Sequence, residues 1–438
     1  MVRYAQVPWL GEKDASNSSN KRLASFSVQQ MKNVLDAVVV GAGPVGCFAA
    51  MKLAKLGLDT TVFEEHAEIG VPTHCAGHLS IRSLKNLGLY PLPQGIVENT
   101  FSAANFYSPN GTKLTVRVRR PVTCAVNREL FDKFLAGKAE AAGARFRFSS
   151  RVHSLIINDG FVAGVNAKQE DGNESQVSSK IVIDAEGISS RLLRQAGLAP
   201  LKGERLVYAV ETEMENIRNV EEDTVEVFLG RNYAPGFYAW IIPRRDGTAK
   251  VGLAAKKGNP KELLQSLVHK HPVASKHLAG ARVTRMAFHS ITLGGPVSKA
   301  YANGFVAVGD VASQVKPTTG GGVVFGLTCA RIAAEVIQGA LEKDNFSADY
   351  LGLYQKRFVD ALGFDFNVML RARRFLDSLS DEKLDEALRF CNKVGLDKAL
   401  RDVDEIDFQG QTLLRALTKP AAFTSLAYFL VLYLTANP

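Results

Sequence analysis

Cysteine is scarce and scattered in this chain of 438 residues. The five cysteines, at positions 47, 75, 124, 329 and 391, form no C-x-x-C pair. Their spacing indicates neither a disulfide framework nor a zinc site, and we expect no metal. Such cysteine usage favours a reducing, cytosolic compartment.

A signal peptide is also missing, and the apolar tail of the chain is short for a membrane span. Residues 1–33 are polar, without the apolar core of a signal peptide, so we expect a disordered arm, and Met31 could equally start the folded protein. The stretch 420–438 carries no charged side chain. Its roughly 16 apolar residues are fewer than the ~20 that cross a bilayer. We expect either a buried helix that closes a hydrophobic cavity or a helix that lies on a membrane surface.

Negative charge is in deficit, because 44 Asp and Glu stand against 53 Lys and Arg, a net charge of +9. This excess suits an anionic partner, such as a membrane surface, a phospholipid headgroup, nucleic acid or an acidic protein, and it suits plain solubility equally well. The hydrophobic fraction of 46% is ordinary for a globular protein, and the length suggests two domains.

The most informative stretch begins with a predicted buried strand at 37–40. The spacing G-x-G-x-x-G follows at Gly41, Gly43 and Gly46, and then come an amphipathic helix and a second strand that ends in Glu64. In a dinucleotide site the three glycines permit the turn, the approach of the pyrophosphate and helix packing, while the acid accepts hydrogen bonds from ribose hydroxyls. The sequence therefore predicts a dinucleotide, and the acid favours FAD or NAD over NADP.

A second order of strand, acid, glycines and helix lies at 303–341. Asp310 follows an apolar strand, and Gly320, Gly321 and Gly322 open a long helix. The positive end of such a helix stabilises the negative charge of a reduced flavin. Because the sequence holds only one G-x-G-x-x-G, we expect no second domain that binds NAD(P)H tightly.

Between these motifs the chain alternates like a β-sheet. Asn110-Gly111, Asp159-Gly160 and Asp246-Gly247 predict tight hairpins. Tyr238 and Trp240 precede the last of them, where aromatic residues are either core or the wall of a site. We expect this sheet to face the cofactor.

Two further residues each allow a structural and a functional interpretation. Cys75 lies in a loop of small residues that leads into a predicted helix at 79–87. In this loop Cys75 is either an apolar filler or a point of backbone approach to the cofactor. Arg128 begins an amphipathic helix at 126–143, a position suited to a phosphate or carboxylate contact and equally to a surface salt bridge. Arg371, Arg373 and Arg374 form a predicted basic cluster.

Four segments together resemble the geranylgeranyl reductase family, flavoproteins of the para-hydroxybenzoate hydroxylase-like superfamily. They are the first glycine motif with its acid, PTHCAG at 72–77, YAWIIP at 238–243 and GDVASQVKPTTGGG at 309–322. Archaeal digeranylgeranylglycerophospholipid reductases are most similar, over about residues 34–438. The chain departs from the family pattern at Val311, Ser313 and Ile242, the last of which stands where phenylalanine is usual.

The resemblance implies an α/β (α+β) fold with a Rossmann-like FAD-binding domain, an inserted antiparallel substrate sheet and a C-terminal helical region. The FAD-binding parts would be 34–105, 126–203 and 293–345, the substrate parts 106–125 and 204–292, and the helical region 346–438. Beside the glycine turns (Gly41, Gly43, Gly46 and Gly321), the implied FAD contacts are Val45, Glu64, Cys75, Ala76, His78, Arg128, Val152, Asp310, Gly322 and Val323. Tyr238 and Trp240 would line the substrate cavity, and Cys75 is the nearest candidate for an acid or positioning role.

The implied activity is reduction of isolated C=C bonds in the geranylgeranyl chains of an archaeal-type ether lipid. Electrons would come from an acidic carrier such as ferredoxin or from transient NAD(P)H. The protein would lie on the inner face of the cell membrane, with an isoprenoid phospholipid and no nucleic acid as partner. The alternatives are a flavin monooxygenase or halogenase, a non-catalytic lipid-binding flavoprotein, and a reductase of a quinone or chlorophyll side chain.

Overall fold

A computed structural model describes the backbone of residues 34–436 and the side chains of residues 34–432. The arm predicted at 1–33 lies outside the described residues. The strands, in chain order, are β1 Leu35–Val40, β2 Thr60–Phe63, β3 His78–Ser80, β4 Val97–Phe101, β5 Ala103–Tyr107, β6 Lys113–Arg117, β7 Thr123–Val126, β8 Arg145–Arg147, β9 Ser150–Asn158, β10 Phe161–Gln169, β11 Glu174–Asp184, β12 Leu206–Glu215, β13 Thr224–Phe228, β14 Ala239–Pro243, β15 Ala249–Ala255, β16 Arg282–Thr292, β17 Tyr301–Ala302 and β18 Phe305–Ala307.

The helices, in chain order, are α1 Pro44–Lys55, α2 Ile81–Asn86, α3 Arg128–Ala141, α4 Arg191–Gln195, α5 Pro260–Lys270, α6 Ala274–His277, α7 Val323–Glu342, α8 Ala348–Ser378, α9 Asp381–Val394, α10 Leu396–Ala399, α11 Gln409–Ala416 and α12 Pro420–Ala436. Short 3₁₀ turns occupy Gly203–Arg205 and Gly309–Ala312.

A parallel sheet organises the first layer, with the order β17-β18-β11-β1-β2-β8. The strands β18, β11, β1, β2 and β8 all run parallel, and the edge strand β17 is antiparallel. Two more antiparallel strands complete the eight of this sheet, because β10 pairs with β11 and β9 pairs with β10. β1 is central and flanked by helices, which explains its continuous apolar run, because both faces of such a strand are covered. The carboxyl ends of β1, β2, β11 and β18 therefore meet at one edge, where ligands of such sheets bind.

A seven-stranded sheet forms the second layer, with the order β16-β12-β15-β14-β13-β5-β6. All its pairs are antiparallel except β13 with β5. Its far face is covered by apolar residues of α5 and α6, among them Leu264 and Leu267. A small sheet, β3-β7-β4, lies beside it. The hairpin predicted at Asn110-Gly111 joins β5 to β6.

The C-terminal part of the chain is helical. α7 is long and apolar enough to span a membrane by composition, but 72% of its apolar window is buried inside the protein. It is therefore a core helix, which packs against α1 and α8. One side of α12 packs on α9, while its other side exposes apolar side chains, and both expectations for the tail stay predictions.

Two details differ from the sequence expectations. A helix was expected from 79 to 87, but β3 takes up Leu79 and the helix begins at Ile81, because the Ser80 hydroxyl caps it by accepting from the Ser83 amide at 3.1 Å. The basic cluster is also smaller than predicted. Arg373 is 6% exposed and pairs with Asp377 at 2.7 Å, so it belongs to the interior.

Candidate active site

The first glycine turn is tightly packed on one side and open on the other. Gly41 has φ +96°, and a Cβ there would lie 2.5 Å from the Ala185 carbonyl oxygen. A Cβ at Gly46 would lie 1.9 Å from the Gly41 carbonyl oxygen, whereas one at Gly43 would meet nothing within 4 Å. The turn therefore leaves its free space at Gly43, where a pyrophosphate can approach the amino end of α1.

Glu64 stands at the end of β2, next to this turn. Its Oε2 accepts a hydrogen bond from the Ala42 amide at 2.7 Å, and its Oε1 lies 2.6 Å from His66 Nδ1. The side chain remains 12% exposed. A carboxylate fixed beside the glycine turn is suited to ribose hydroxyls.

The second glycine motif meets the first through one side chain. Val45 lies between Gly309 and Gly326: a Cβ at Gly326 would come within 2.5 Å of Val45 Cγ2, and one at Gly309 within 3.3 Å. α7 begins at Val323, with Gly322 as its N-cap. The amino ends of α1 and α7, far apart in sequence, are thereby brought to one edge of the parallel sheet.

Asp310 marks the cleft at this edge. Its side chain is solvent-accessible, yet protein encloses it deeply enough that burial raises the pKa of the carboxyl, an effect that the charge of Arg128 opposes. A Cβ at Gly322 would lie 2.6 Å from Asp310 Oδ1, so glycine at this position leaves the space that the Asp310 carboxylate occupies. An acid of this kind lies in an open cleft and suits the hydroxyls of a bound cofactor.

The PTHCAG loop closes the cleft from the other side. Arg128, 11% exposed, donates to Asp132 through Nε at 3.0 Å and through Nη2 at 2.8 Å. Burial works against the Arg128 charge, but Asp132 and a hydrogen bond with Cys75 outweigh it and raise the pKa of the guanidinium. The half-buried Cys75 thus lies beside a permanent positive charge.

The seven-stranded sheet holds this loop in place. Lys250 Nζ donates to the Ala76 carbonyl at 3.0 Å, and Arg285 donates to the Thr73 carbonyl at 2.7 Å. Sequence reasoning missed both cations. The available signal was one face of β12, where the apolar Val207 and Ala209 are followed by three acids, Glu211, Glu213 and Glu215.

An aromatic wall continues from this contact along the sheet. The Tyr238 hydroxyl donates to the Thr319 carbonyl at 2.7 Å, which ties the YAWIIP segment to the second glycine turn. Phe237 stacks on Tyr238 with ring centroids 4.3 Å apart, and Trp240 contacts Tyr238 edgewise at 5.7 Å. Tyr238 therefore contacts the second glycine turn, whereas Phe237 and Trp240 are buried, and the substrate role of Tyr238 and Trp240 stays a prediction.

Two predicted FAD contacts have other partners. The His78 ring lies 2.7 Å from the Thr123 hydroxyl, and burial lowers its pKa to about 4, so the ring is neutral at physiological pH. The Val152 side chain is only 2% exposed, and its carbonyl accepts from Arg191. A cofactor contact at Val152 would have to use the remaining backbone atoms, and the contact list as a whole stays a prediction.

The residues present fit FAD. The open side of Gly43, the acid beside the first turn, the accessible Asp310 and the N-terminus of α7 line one edge of the parallel sheet. In the described residues, 34–436, no cluster of three or more metal-ligating side chains is present.

Comparison with known proteins agrees with this geometry. Residues 34–339 match the family model of an FAD binding domain. Digeranylgeranylglycerophospholipid reductase 2 of Methanopyrus kandleri is 37% identical over 80% of this chain and 88% of its own length. The digeranylgeranylglycerophospholipid reductase of Methanocaldococcus jannaschii is 34% identical over 82% of this chain and 90% of its own length.

Solved structures give the same result for the fold. A geranylgeranyl bacteriochlorophyll reductase-like protein of Thermoplasma acidophilum superposes with a TM-score of 0.80, at 26% identity, over 91% of this chain and 99% of its own. The flavin-dependent brominase Bmp2 superposes with a TM-score of 0.67 at 17% identity, over 88% of this chain and 99% of its own. The second likeness concerns the fold alone.

Proposed function

The chain belongs to the digeranylgeranylglycerophospholipid reductase family of FAD-binding proteins, and we propose that it saturates the geranylgeranyl chains of an archaeal-type ether phospholipid. The observation that carries this proposal is the apolar aromatic wall, Phe237 to Trp240, which is tied directly to the glycine turn of the cofactor cleft. A polyprenyl chain offers only apolar surface, and of these rings Tyr238 is the one open to contact it, because Phe237 and Trp240 are only 5% and 6% exposed.

The reaction sets particular demands on the protein. When bound and reduced, FAD supplies a hydride to one alkene carbon, and a proton must reach the neighbouring carbon. An isolated alkene has no carbonyl to polarise, so orientation and exclusion of water contribute more than an oxyanion hole. The wall orients the chain, and Cys75 is the proposed proton donor or positioning group beside the cleft.

Mass spectrometry of lipids tests the function. The protein is expressed in cells that make digeranylgeranyl phospholipid, and we expect isoprenoid chains to gain two hydrogens for each double bond reduced. Cys75→Ala should lower this gain at least tenfold, as expected for the loss of a proton-transfer group, whereas the matched Cys391→Ala, on α9 and away from the cleft, should not. Unchanged lipids with a flavin-loaded protein would refute the proposed reaction.

A second candidate substrate is a geranylgeranyl chain on a tetrapyrrole. The likeness to the Thermoplasma acidophilum protein favours it. Supplying both substrates together decides between them, since each product has its own mass.

The electron donor is proposed to be a small acidic carrier such as ferredoxin, or NAD(P)H that binds transiently. The net charge of +9 supports the acidic carrier. Rapid reduction of the purified protein by NADPH alone would remove that support. Reduction by ferredoxin that slows steeply with added salt would strengthen it.

We also propose that α12 holds the protein on the inner face of the cell membrane. Its outward side exposes four apolar side chains at helical spacing: Phe423, Leu426, Leu430 and Val431. A groove of about 900 Å³ at its amino end is lined by four lysines and a single acid, Lys113, Lys393, Lys398, Lys419 and Asp397. An apolar face beside a basic groove suits an anionic lipid surface.

Sedimentation with vesicles tests the membrane contact. The double variant Leu430→Glu with Val431→Glu should lose most binding to vesicles of phosphatidylglycerol. Ile157→Glu, at another exposed apolar position, on β9, should bind as the parent does. Equal binding by all three proteins would contradict the role of α12.

A further inference from the structure

A charged cavity of about 200 Å³ lies behind the PTHCAG loop, between that loop and the seven-stranded sheet. Cys75 and Arg128 line it from the cofactor side, and Glu211, Glu213, Lys250 and Arg285 line it from the sheet. Nothing in the hydride transfer described above uses these sheet residues. A polar chamber directly behind the loop of the proposed proton donor therefore needs an explanation.

Most charges in this chamber are already paired. Lys250 Nζ lies 2.6 Å from Glu98 Oε2 and also donates to two backbone carbonyls. Arg244 lies 3.0 Å from Glu213 Oε1 and 3.4 Å from Glu98 Oε1. Arg285 also lies near Glu213 Oε1, at 3.7 Å. Glu129, the remaining acid of the lining, pairs with Lys133.

Glu211 differs from all of them. It is 7% exposed, and in the part of the chain that the structure describes it forms no ion pair. Its Oε2 accepts from the Trp240 indole at 3.0 Å, while its buried Oε1 has no hydrogen-bond partner among these residues. A buried carboxyl oxygen without a partner is costly as an anion and more readily accommodated as an acid.

The sheet is built to make this contact. Gly252 lies between Glu211 and Trp240 on β15, paired with both. A Cβ at Gly252 would lie 2.6 Å from the Trp240 ring, so only glycine lets the indole cross the strand and reach the carboxylate. Trp240 thus joins the substrate wall to the chamber.

The surrounding charges and burial bring Glu211 close to the balance between its protonated and its ionised form. Burial raises the pKa of Glu211 to about 7, against the opposing charges of Lys250 and Arg244 and the hydrogen bond from Trp240, while Glu213 acts in the same direction as burial. Arg128, Arg285, Glu98 and Glu129 line the same chamber. An acid with such a pKa can both give up and take up a proton near neutrality.

We propose that Glu211 is the proton reservoir of the reaction and resupplies Cys75 each time the thiol has protonated the alkene. The proposal rests on the function proposed above. The hydride forms one new C–H bond and the Cys75 thiol proton forms the other, while the π bond breaks. The thiolate beside Arg128 takes the carboxyl proton of Glu211, directly or through water in the chamber. The carboxylate then takes a proton from solvent, so atoms and charge balance.

Infrared difference spectroscopy tests the reservoir without turnover. In the flavin-loaded protein, a pH jump across neutrality should remove the carbonyl stretch of one protonated carboxyl group, and Glu211→Gln should abolish that band. Glu215→Gln is the matched control, because Glu215 lies on the same face of β12 beyond the chamber and pairs with Arg282. It should leave the band unchanged.

The pH profile of lipid reduction gives the second readout, with reductant in excess. The parent rate should fall as the pH rises above about 7, because the reservoir then loses its proton. Glu211→Gln should slow reduction at least tenfold, and its rate should no longer fall as the pH rises above about 7. FAD binding should stay the same. Glu211→Asp keeps an acid, so its rate should still fall with rising pH, but around a shifted pH. This variant replaces Glu211→Gln if the Gln protein does not fold.

The outcomes separate the two proposals. If the parent reduces the lipid and Glu211→Gln matches it in rate and pH profile, the reservoir is refuted and the function stands. If no carboxyl band near neutrality depends on Glu211, the reservoir is likewise refuted. If the parent itself does not reduce the lipid, the proposed function fails and the proton supply fails with it.

Discussion

Replacing Gly326 by alanine should disturb the junction of the two glycine motifs. The new Cβ would lie 2.5 Å from Val45 Cγ2 and 3.3 Å from the Gly309 Cα. Overpacking of this kind costs ~1–3 kcal/mol. Alanine in a helix is favoured over glycine by about 1 kcal/mol, so the net loss of stability should be about 0–2 kcal/mol.

A double-mutant cycle isolates the clash. Val45→Ala alone removes two methyl groups, a loss of roughly 1–2 kcal/mol. With Val45→Ala already present, Gly326→Ala should cost nothing or stabilise, because the space is free. We expect a coupling energy of about 1–3 kcal/mol between the two positions, equal to the overpacking.

Urea unfolding of the apoprotein and fluorescence titration with FAD measure the cycle. Gly326→Ala should weaken FAD binding about tenfold, a loss of ~1.4 kcal/mol, and the double variant should recover most of it. Gly137→Ala in α3, where a Cβ meets nothing within 4 Å, is the matched control and should be neutral or stabilising. Additive effects within ~0.5 kcal/mol would refute the junction.

Three further predictions concern the walls of the site. Gly252→Ala should displace the Trp240 ring and slow lipid reduction while FAD affinity, measured by titration, stays the same; unchanged turnover would contradict the crossing of β15. Asp407→Asn should destabilise the protein in urea by about 3–5 kcal/mol, because Lys316, 8% exposed, loses its buried partner; a loss under 1 kcal/mol would refute a buried pair. Burial lowers the pKa of His289 to about 4, and the unfolded ring titrates near 6.5. The free energy of unfolding should therefore fall as the pH drops from about 6.5 to 4, and His289→Gln should reduce that slope.

The sequence was sufficient for the strands, glycine turns and helices on the cofactor side of the site, while the FAD contacts themselves stay a prediction. The order of strand, glycines, helix and acid at 37–64 needs only local spacing, and the structure forms β1, α1 and β2 there. The same holds for the second motif, where Asp310 and the start of α7 at Val323 lie as the pattern predicts. These features could be predicted because each is a contiguous unit.

The charged chamber could not be predicted, because it depends on strand register. Glu211, Gly252 and Trp240 come together only when β12, β15 and β14 pair in one alignment. A slip by one residue would turn Glu211 to the other face of the sheet. No local sequence pattern predicts the register in which β12, β15 and β14 pair. The contact of Val45 with Gly326 escapes sequence reasoning for a similar reason, since it depends on how two helices pack.

Anaerobic mixing of the reduced flavoprotein with its lipid tests the central claim most directly. The reduced, FAD-loaded protein is mixed with digeranylgeranyl phospholipid, and the visible absorbance of oxidised flavin is followed. We predict that this absorbance returns with the unsaturated lipid, in step with the appearance of saturated bonds, and does not return with a fully saturated lipid of the same headgroup. A flavin that stays reduced with both lipids, and is reoxidised only when oxygen is admitted, would contradict the account.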